Sequence, residues 1–393
     1  MEIVDQRRSE VRELTGLALR ESERAAAGIH RTHRSISDRV FGTVGVFTGQ
    51  AARPVKTIHD AITDGVYQAV RASMSAAATV GEKVADLPLA VPPSETRLGA
   101  EVIAAVTGLI GDDLATRRSP LVADPMRLRL GDDVEVTGSI AIFVHGLMET
   151  EHAFEIEGRS PYGDVLAERG VTPVFVRYNT GRHISVNGRA LSGLLEEVVG
   201  HWPVPVERIA LIGHSMGGLV LRSAAYWGER HDHSWVDGVS ATVSLGTPHL
   251  GAPLESLAHY GSAVLSGFPE TAAFGSLLRR RSAGIRDLRG GSLVDEDWAG
   301  RDPDALGAAL AAEVPLLAGA AHYFVSATLT RSPRHPVGRL VGDGLVLDPS
   351  ARGVHRARRI GFDPDNGLHL GGANHFTLLH DPAIAHRLVD WVC

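Results

Sequence analysis

The stretch that most restricts how this chain can fold runs from Arg208 to Trp227. A β-branched run, Ile209 to Ile212, leads straight into Gly213-His214-Ser215-Met216-Gly217, and an apolar helical run begins at Leu219. A strand and a helix joined by so short a turn must pack closely, and glycines at 213 and 217 leave room where side chains would clash. Ser215 then sits at a strained turn with its hydroxyl exposed, a position suited to a nucleophile. Glycine-rich turns of this composition also arise as ordinary connections. The strand before and the helix after favour the nucleophile.

The surrounding sequence repeats the same alternation. The runs SIAIFV, TPVFVRY, RIALIG, VSATVSL and HYFVSAT read as strands. Helical patterns separate them at Tyr162 to Arg169, Gly188 to Val199 and Met216 to Trp227, and a closing helix spans Pro382 to Trp391. Strands alternating with helices predict an α/β architecture, a mostly parallel sheet with helices on both faces. Residues 126–393 are therefore expected to form one α/β domain. Between Ala252 and Ala321 lie about seventy residues, too many for an ordinary connection, which predicts a helical cap or lid insertion.

At 393 residues the chain exceeds one such domain, and residues 1–125 have a different character. They are rich in Ala, Arg and Glu, with apolar stripes at Ile36, Val40, Val44, Phe47 and Ala51 and at Ile58, Ile62, Val66, Val70 and Met74. Broken at Pro54, these predict a helical hairpin, followed beyond the prolines at 88, 92 and 93 by an apolar helix near Val102 to Leu109. The apolar stretch from Leu98 to Gly111 is interrupted by Glu101 and falls short of the roughly 20 residues that cross a bilayer. With 44% hydrophobic and 22% charged residues the chain can build a sizeable core. A net charge of −7 argues against nucleic acid as a partner. The sole cysteine, Cys393, allows neither an internal disulfide nor a cysteine-rich zinc site. The charged amino terminus lacks the pattern of a secretory signal, so the expected compartment is the cytoplasm, with peripheral membrane contact as an alternative.

A serine hydroxyl needs a histidine to take its proton and a carboxylate to hold that histidine's tautomer. Asp343, between glycines in VGDGLV, is the candidate acid, with Asp348 in reserve. His375, in a glycine-marked loop before the closing helix, is the candidate base among 19 histidines, with His369 and His380 as competitors. The oxyanion of a tetrahedral intermediate needs backbone donors. These are assigned to Met216, directly after the nucleophile, and to Leu147, aimed by the turn at His145-Gly146 after the strand ending at Val144. Thr247, Pro248 and His249, at the end of the next strand, are expected to shape the substrate pocket together with His145, Gly146 and His214.

Taken together, HGL at 145, GHSMGG at 213, GTPHLG at 246, GDGLV at 342 and NHFTLL at 374 resemble the α/β-hydrolase superfamily. Within it they are similar to the lipase-like branch, including GPI-inositol-deacylase-like hydrolases. The resemblance runs from about Arg127 to the end. It implies a triad of Ser215, Asp343 and His375, oxyanion donors at Leu147 and Met216, and hydrolysis of a carboxylic ester without a cofactor. Some lipases of this kind bind calcium; no acidic cluster with liganding spacing is present, so no metal is expected. The expected partner is a small ester or lipid. The same machinery could pass the acyl group to an alcohol instead of water, and a hydrolase fold could also serve as an idle scaffold. The arginine excess from Arg31 to Lys56 beside an apolar stripe suggests either a membrane surface or packing on the hydrolase domain or a second copy, with packing preferred.

Overall fold

A single sheet of seven strands organises the carboxyl-terminal part of the molecule: β1 (Arg127–Leu130), β2 (Ser139–Val144), β3 (Thr172–Arg177), β4 (Arg208–His214), β5 (Val239–Leu245), β6 (Ala321–Thr328) and β7 (Gly367–Gly371). Their order is β1-β3-β2-β4-β5-β6-β7, with β1 antiparallel to β3 and every other pairing parallel. The computed structural model describes residues 5–18, 20, 91–123, 126–131, 134–158, 160–252, 281–301, 311–356 and 358–393. The expected helical hairpin at 36–74 lies outside these residues, as does most of the expected lid.

Helices cover the sheet on both faces, as the unbroken burial of β2 requires. The helices of the described residues include α1 (Arg97–Thr116), α2 (Pro161–Ala167), α3 (Ile184–Gly200), α4 (Met216–Arg230), α5 (Ala283–Gly290), α6 (Pro336–Val341) and α7 (Pro382–Val392), with a single turn at Asp348–Ala351. On one face Phe143, Phe175, Ile212, Val243 and Val325 meet Tyr162 and Leu166 of α2 and Ile384 and Leu388 of α7 in one buried cluster. Phe143 stacks on Phe175 with ring centres 4.9 Å apart. The Tyr162 hydroxyl donates to the Leu378 carbonyl at 2.9 Å, so the buried phenol that joins α2 to the chain before α7 is satisfied.

The molecule divides into two compact units, Met1–Val102 with Leu265–Arg280, and Ile103–Val264 with Arg281–Cys393. In the first, residues 5–18 are helical, and the Glu10 carboxylate accepts the Ser94 amide at 2.9 Å. The second begins at Ile103, whereas composition put the boundary near Pro125. The reason is the role of α1 beyond Val102. A Cβ on Gly108 would lie 2.3 Å from Met148 Cγ, and one on Gly111 would lie 2.0 Å from Asn179 Oδ1. The predicted apolar helix is thus part of the sheet-bearing unit and packs on the loops that leave β2 and β3. It is interrupted at Ile110, where the backbone leaves helical geometry.

Of the expected lid, α5 and its flanks are described. Ser282 Oγ donates to the Gly108 carbonyl at 2.6 Å, and Asp287 accepts the Ile184 amide at 2.8 Å. Burial favours the neutral form of Asp287 and raises its pKa against the pull of His183. Among the described residues no helix is long and apolar enough to cross a membrane.

Candidate active site

The strand order reverses at β2: the chain moves from β2 to β3 on one side, then returns to place β4 on the other. Loops leaving neighbouring strands on either side of such a reversal part and open a crevice at the carboxyl edge of the sheet. Val144 pairs with Gly213 at that edge, so the HGL turn and the serine turn emerge side by side.

Ser215 has φ 51° and ψ −121°, a left-handed backbone rare for a residue with a side chain. Its amide donates to the Leu245 carbonyl of β5 at 2.8 Å. The glycines around it are required sterically. A Cβ on Gly217 would lie 2.1 Å from the Val144 carbonyl oxygen, and one on Gly213 would lie 2.5 Å from the Gly218 backbone. Ser215 is partly exposed while its neighbours from Ile209 to His214 and from Met216 to Val220 are buried.

Asp343 and His375 come together although they leave different strands. His375 Nδ1 lies 2.8 Å from Asp343 Oδ2, and both side chains are almost wholly buried. The other carboxylate oxygen accepts the Leu345 and Val346 amides at 2.9 and 2.8 Å, and the His375 amide donates to the Asp343 carbonyl at 3.0 Å. Burial alone would lower the imidazole pKa, but the Asp343 carboxylate, aided by Glu149, outweighs it and raises the value. A Cβ on Gly246, at the end of β5, would lie 3.2 Å from the His375 ring. His375 therefore sits over the same sheet edge as the serine turn.

The reserve residues form a separate pair. His369, on β7, lies 3.3 Å from Asp348, with its Nδ1 3.0 Å from Ser326 Oγ and its Nε2 3.2 Å from Thr328 Oγ1. His380 ends the short turn that starts at His375.

The six residues expected to line the pocket are all buried. His145 stacks on Tyr178, whose hydroxyl donates to the His145 carbonyl at 2.8 Å. Thr247 Oγ1 lies where a Cβ on Gly218 would fall. His249 packs against Phe362, and burial beside Arg222 and Arg358 holds its imidazole well below the ordinary pKa. Pro248 and Gly146 are buried as well, and a Cβ on Gly146 would lie 3.0 Å from Ser215 Cβ. Met216, which follows Ser215 in the chain, and Leu147, which follows Gly146, are both buried. A small pocket beside α4 is lined by Gly218, Arg222, Ser244, Leu317 and Phe362 among others.

Glu149 is the residue that pattern reasoning missed. One of its oxygens, Oε2, accepts the Gly146 amide at 2.7 Å and lies 3.0 Å from His214 Nδ1. His214 Nε2 in turn reaches the His375 carbonyl at 3.2 Å. A single carboxylate oxygen thus ties the HGL turn to the serine turn and, through His214, to the loop of His375. Burial would raise the Glu149 pKa, yet His214 and the Gly146 amide hold it at about 2. In sequence, Glu149 and Glu151 in METEH are alike. Folding separates them: Glu151 pairs with Arg177 at the end of β3.

Sheet order, serine turn and the Asp343–His375 contact define an α/β-hydrolase fold carrying a hydrolase-like residue set. Residues 190–264, which contain the serine turn, match the model of the PGAP1-like alpha/beta domain family. No curated protein matches the chain. Among solved structures it is similar to the mature lipase BlEst2 of Bacillus licheniformis, with 18% identity, TM-score 0.46 and coverage of 69% of this chain and 100% of that one. A hyperthermophilic esterase of Pyrobaculum calidifontis gives 13%, TM-score 0.42 and coverage of 68% and 79%. A lipase-esterase related protein of Clostridium acetobutylicum gives 13%, TM-score 0.39 and coverage of 68% and 100%.

Proposed function

We propose that this chain hydrolyses carboxylic esters, in the manner of a lipase or esterase, through an acyl-enzyme on Ser215. The observation that carries this reading is the buried 2.8 Å contact between Asp343 and His375 beside a serine held at φ 51°. Asp343 fixes the proton on Nδ1 and leaves Nε2 of His375 as the base. As Ser215 Oγ attacks the acyl carbonyl, its proton passes to Nε2 and the carbonyl electrons move to oxygen, where the Leu147 and Met216 amides stabilise the charge. Collapse breaks the bond to the alcohol, which leaves with the proton from His375. Water then gives a proton to His375 and attacks the acyl-enzyme, releasing the acid and restoring Ser215. No cofactor enters these steps. Lipid-like or medium-chain acyl groups fit the lipase-like motifs best.

Hydrolysis of p-nitrophenyl esters of rising acyl length, by wild type and Ser215→Ala, tests the proposal. Loss of the serine should remove turnover by on the order of a millionfold. Variant activity within about tenfold of wild type overturns the assignment.

A further inference from the structure

A short helix on a protein surface ordinarily turns its i, i+3 and i+4 apolar residues inward. Helix α6 does the reverse. Val337, Leu340 and Val341 are 51%, 78% and 38% exposed, while the buried residue is Gly338, where a Cβ would lie 2.1 Å from Thr330 Oγ1. Leu329 continues the apolar strip at 49% exposure, its amide bound to the Gly342 carbonyl at the end of the helix at 2.9 Å. Phe376, next to the base, is 42% exposed.

Charge follows the same strip. Arg331, Arg334 and Arg339 are exposed, and the sole carboxylate from Leu329 to Leu345 is Asp343, buried against His375. The nearby Asp348 is engaged by Arg352 and His369. A strip of cations on a chain of net charge −7 runs against the overall balance. Exposed apolar side chains interleaved with arginines suit the boundary of an anionic bilayer, where the first enter the acyl region and the second meet the headgroups. The strip is also bound to the catalytic edge, since the Gly372 amide donates to the Thr330 carbonyl at 3.1 Å and the His375 amide to Asp343.

We propose that the strip from Leu329 to Val341 is a docking surface for an anionic lipid bilayer, which brings lipid esters to the edge that holds Ser215 and His375. Its purpose rests on the ester-hydrolase reading; the binding does not.

Flotation of the Ser215→Ala protein with vesicles of phosphatidylcholine, alone or mixed with phosphatidylserine, separates the two. Binding to the mixed vesicles should exceed binding to the neutral ones by about tenfold or more. Replacing the three arginines with glutamine should weaken binding to mixed vesicles by about a hundredfold, roughly fivefold for each cation. Val337→Ser with Leu340→Ser should abolish flotation on both vesicles. In otherwise wild-type protein, both sets should leave the thermal midpoint and turnover of a short, soluble ester nearly unchanged. Three results would each overturn the docking surface: no flotation of the parent protein, flotation indifferent to both sets of substitutions, or self-association that Leu340→Ser removes, which would identify a second copy as the occupant. Flotation with no esterase activity in the wild type would support docking and overturn the hydrolase reading.

Discussion

The two halves of the candidate site are held by different forces. The nucleophile half is continuous in sequence and held by backbone: Ser215 donates its amide to Leu245, and Gly213 and Gly217 touch backbone atoms of α4 and β2. The acid–base half joins two loops that are 32 residues apart and is held by the Asp343 carboxylate, with one oxygen on two amides and the other on His375. A backbone-held turn should fail by steric strain when changed, and a side-chain-held pair should fail kinetically while the fold survives. Glu149 bridges the halves through Gly146 and His214.

Substitutions can break this contrast, beginning with the largest effect. Asp343→Asn should lower kcat by about ten-thousandfold, through loss of the histidine tautomer, while thermal unfolding stays near wild type. A large fall in thermal midpoint would show that the acid–base half is also structural. Gly217→Ala should do the opposite in kind, since its methyl group meets the Val144 and His145 carbonyls. We expect a loss of roughly 3 kcal/mol in chemical denaturation. A stable variant would show that the turn is looser than its contacts imply.

Glu149→Gln should sharpen the comparison because it keeps shape and removes charge. Turnover should fall by roughly tenfold through looser alignment of the HGL turn. The base acts in its neutral form, and Glu149 helps raise the His375 pKa, so the acid limb of kcat/KM should move to lower pH in the variant. An unmoved limb would confine Glu149 to a structural role. Stability carries the same sign logic. A carboxylate held at about 2 in the folded chain stabilises it fully above the ordinary carboxylate range, and that contribution disappears as pH falls toward 2. Acid unfolding of Glu149→Gln should accordingly be shallower across that interval. The smallest effect belongs to Asp348→Asn, which touches the separate His369 pair. Activity should remain within about twofold, and a larger loss would reopen the choice of acid.

Five strands and the closing helix were legible because parallel strands buried on both faces read as short β-branched runs between helices. Strand β1, RLRL, was not, because as an edge strand it alternates Arg with Leu and hides little surface. The weakly apolar β7, GLHLG, is only partly buried and carries no comparable run of β-branched residues. Ser215 was legible from a local steric demand, with glycines where a Cβ would strike backbone. Asp343 and His375 were reached through glycine-marked loops among many alternatives, and their 2.8 Å contact is a property of the fold.

What the sequence determined by itself is therefore local: a strained serine turn, the alternation that builds the sheet, and a short set of candidates for acid and base. Tertiary structure decided the long-range pairings. It matched His375 with Asp343 and His369 with Asp348, assigned Glu149 and Glu151 to different partners, and turned the apolar residues of α6 outward. The physical reason is range. Steric limits on a turn act between neighbours in the chain, whereas hydrogen bonds and burial depend on which strand ends the sheet order places side by side.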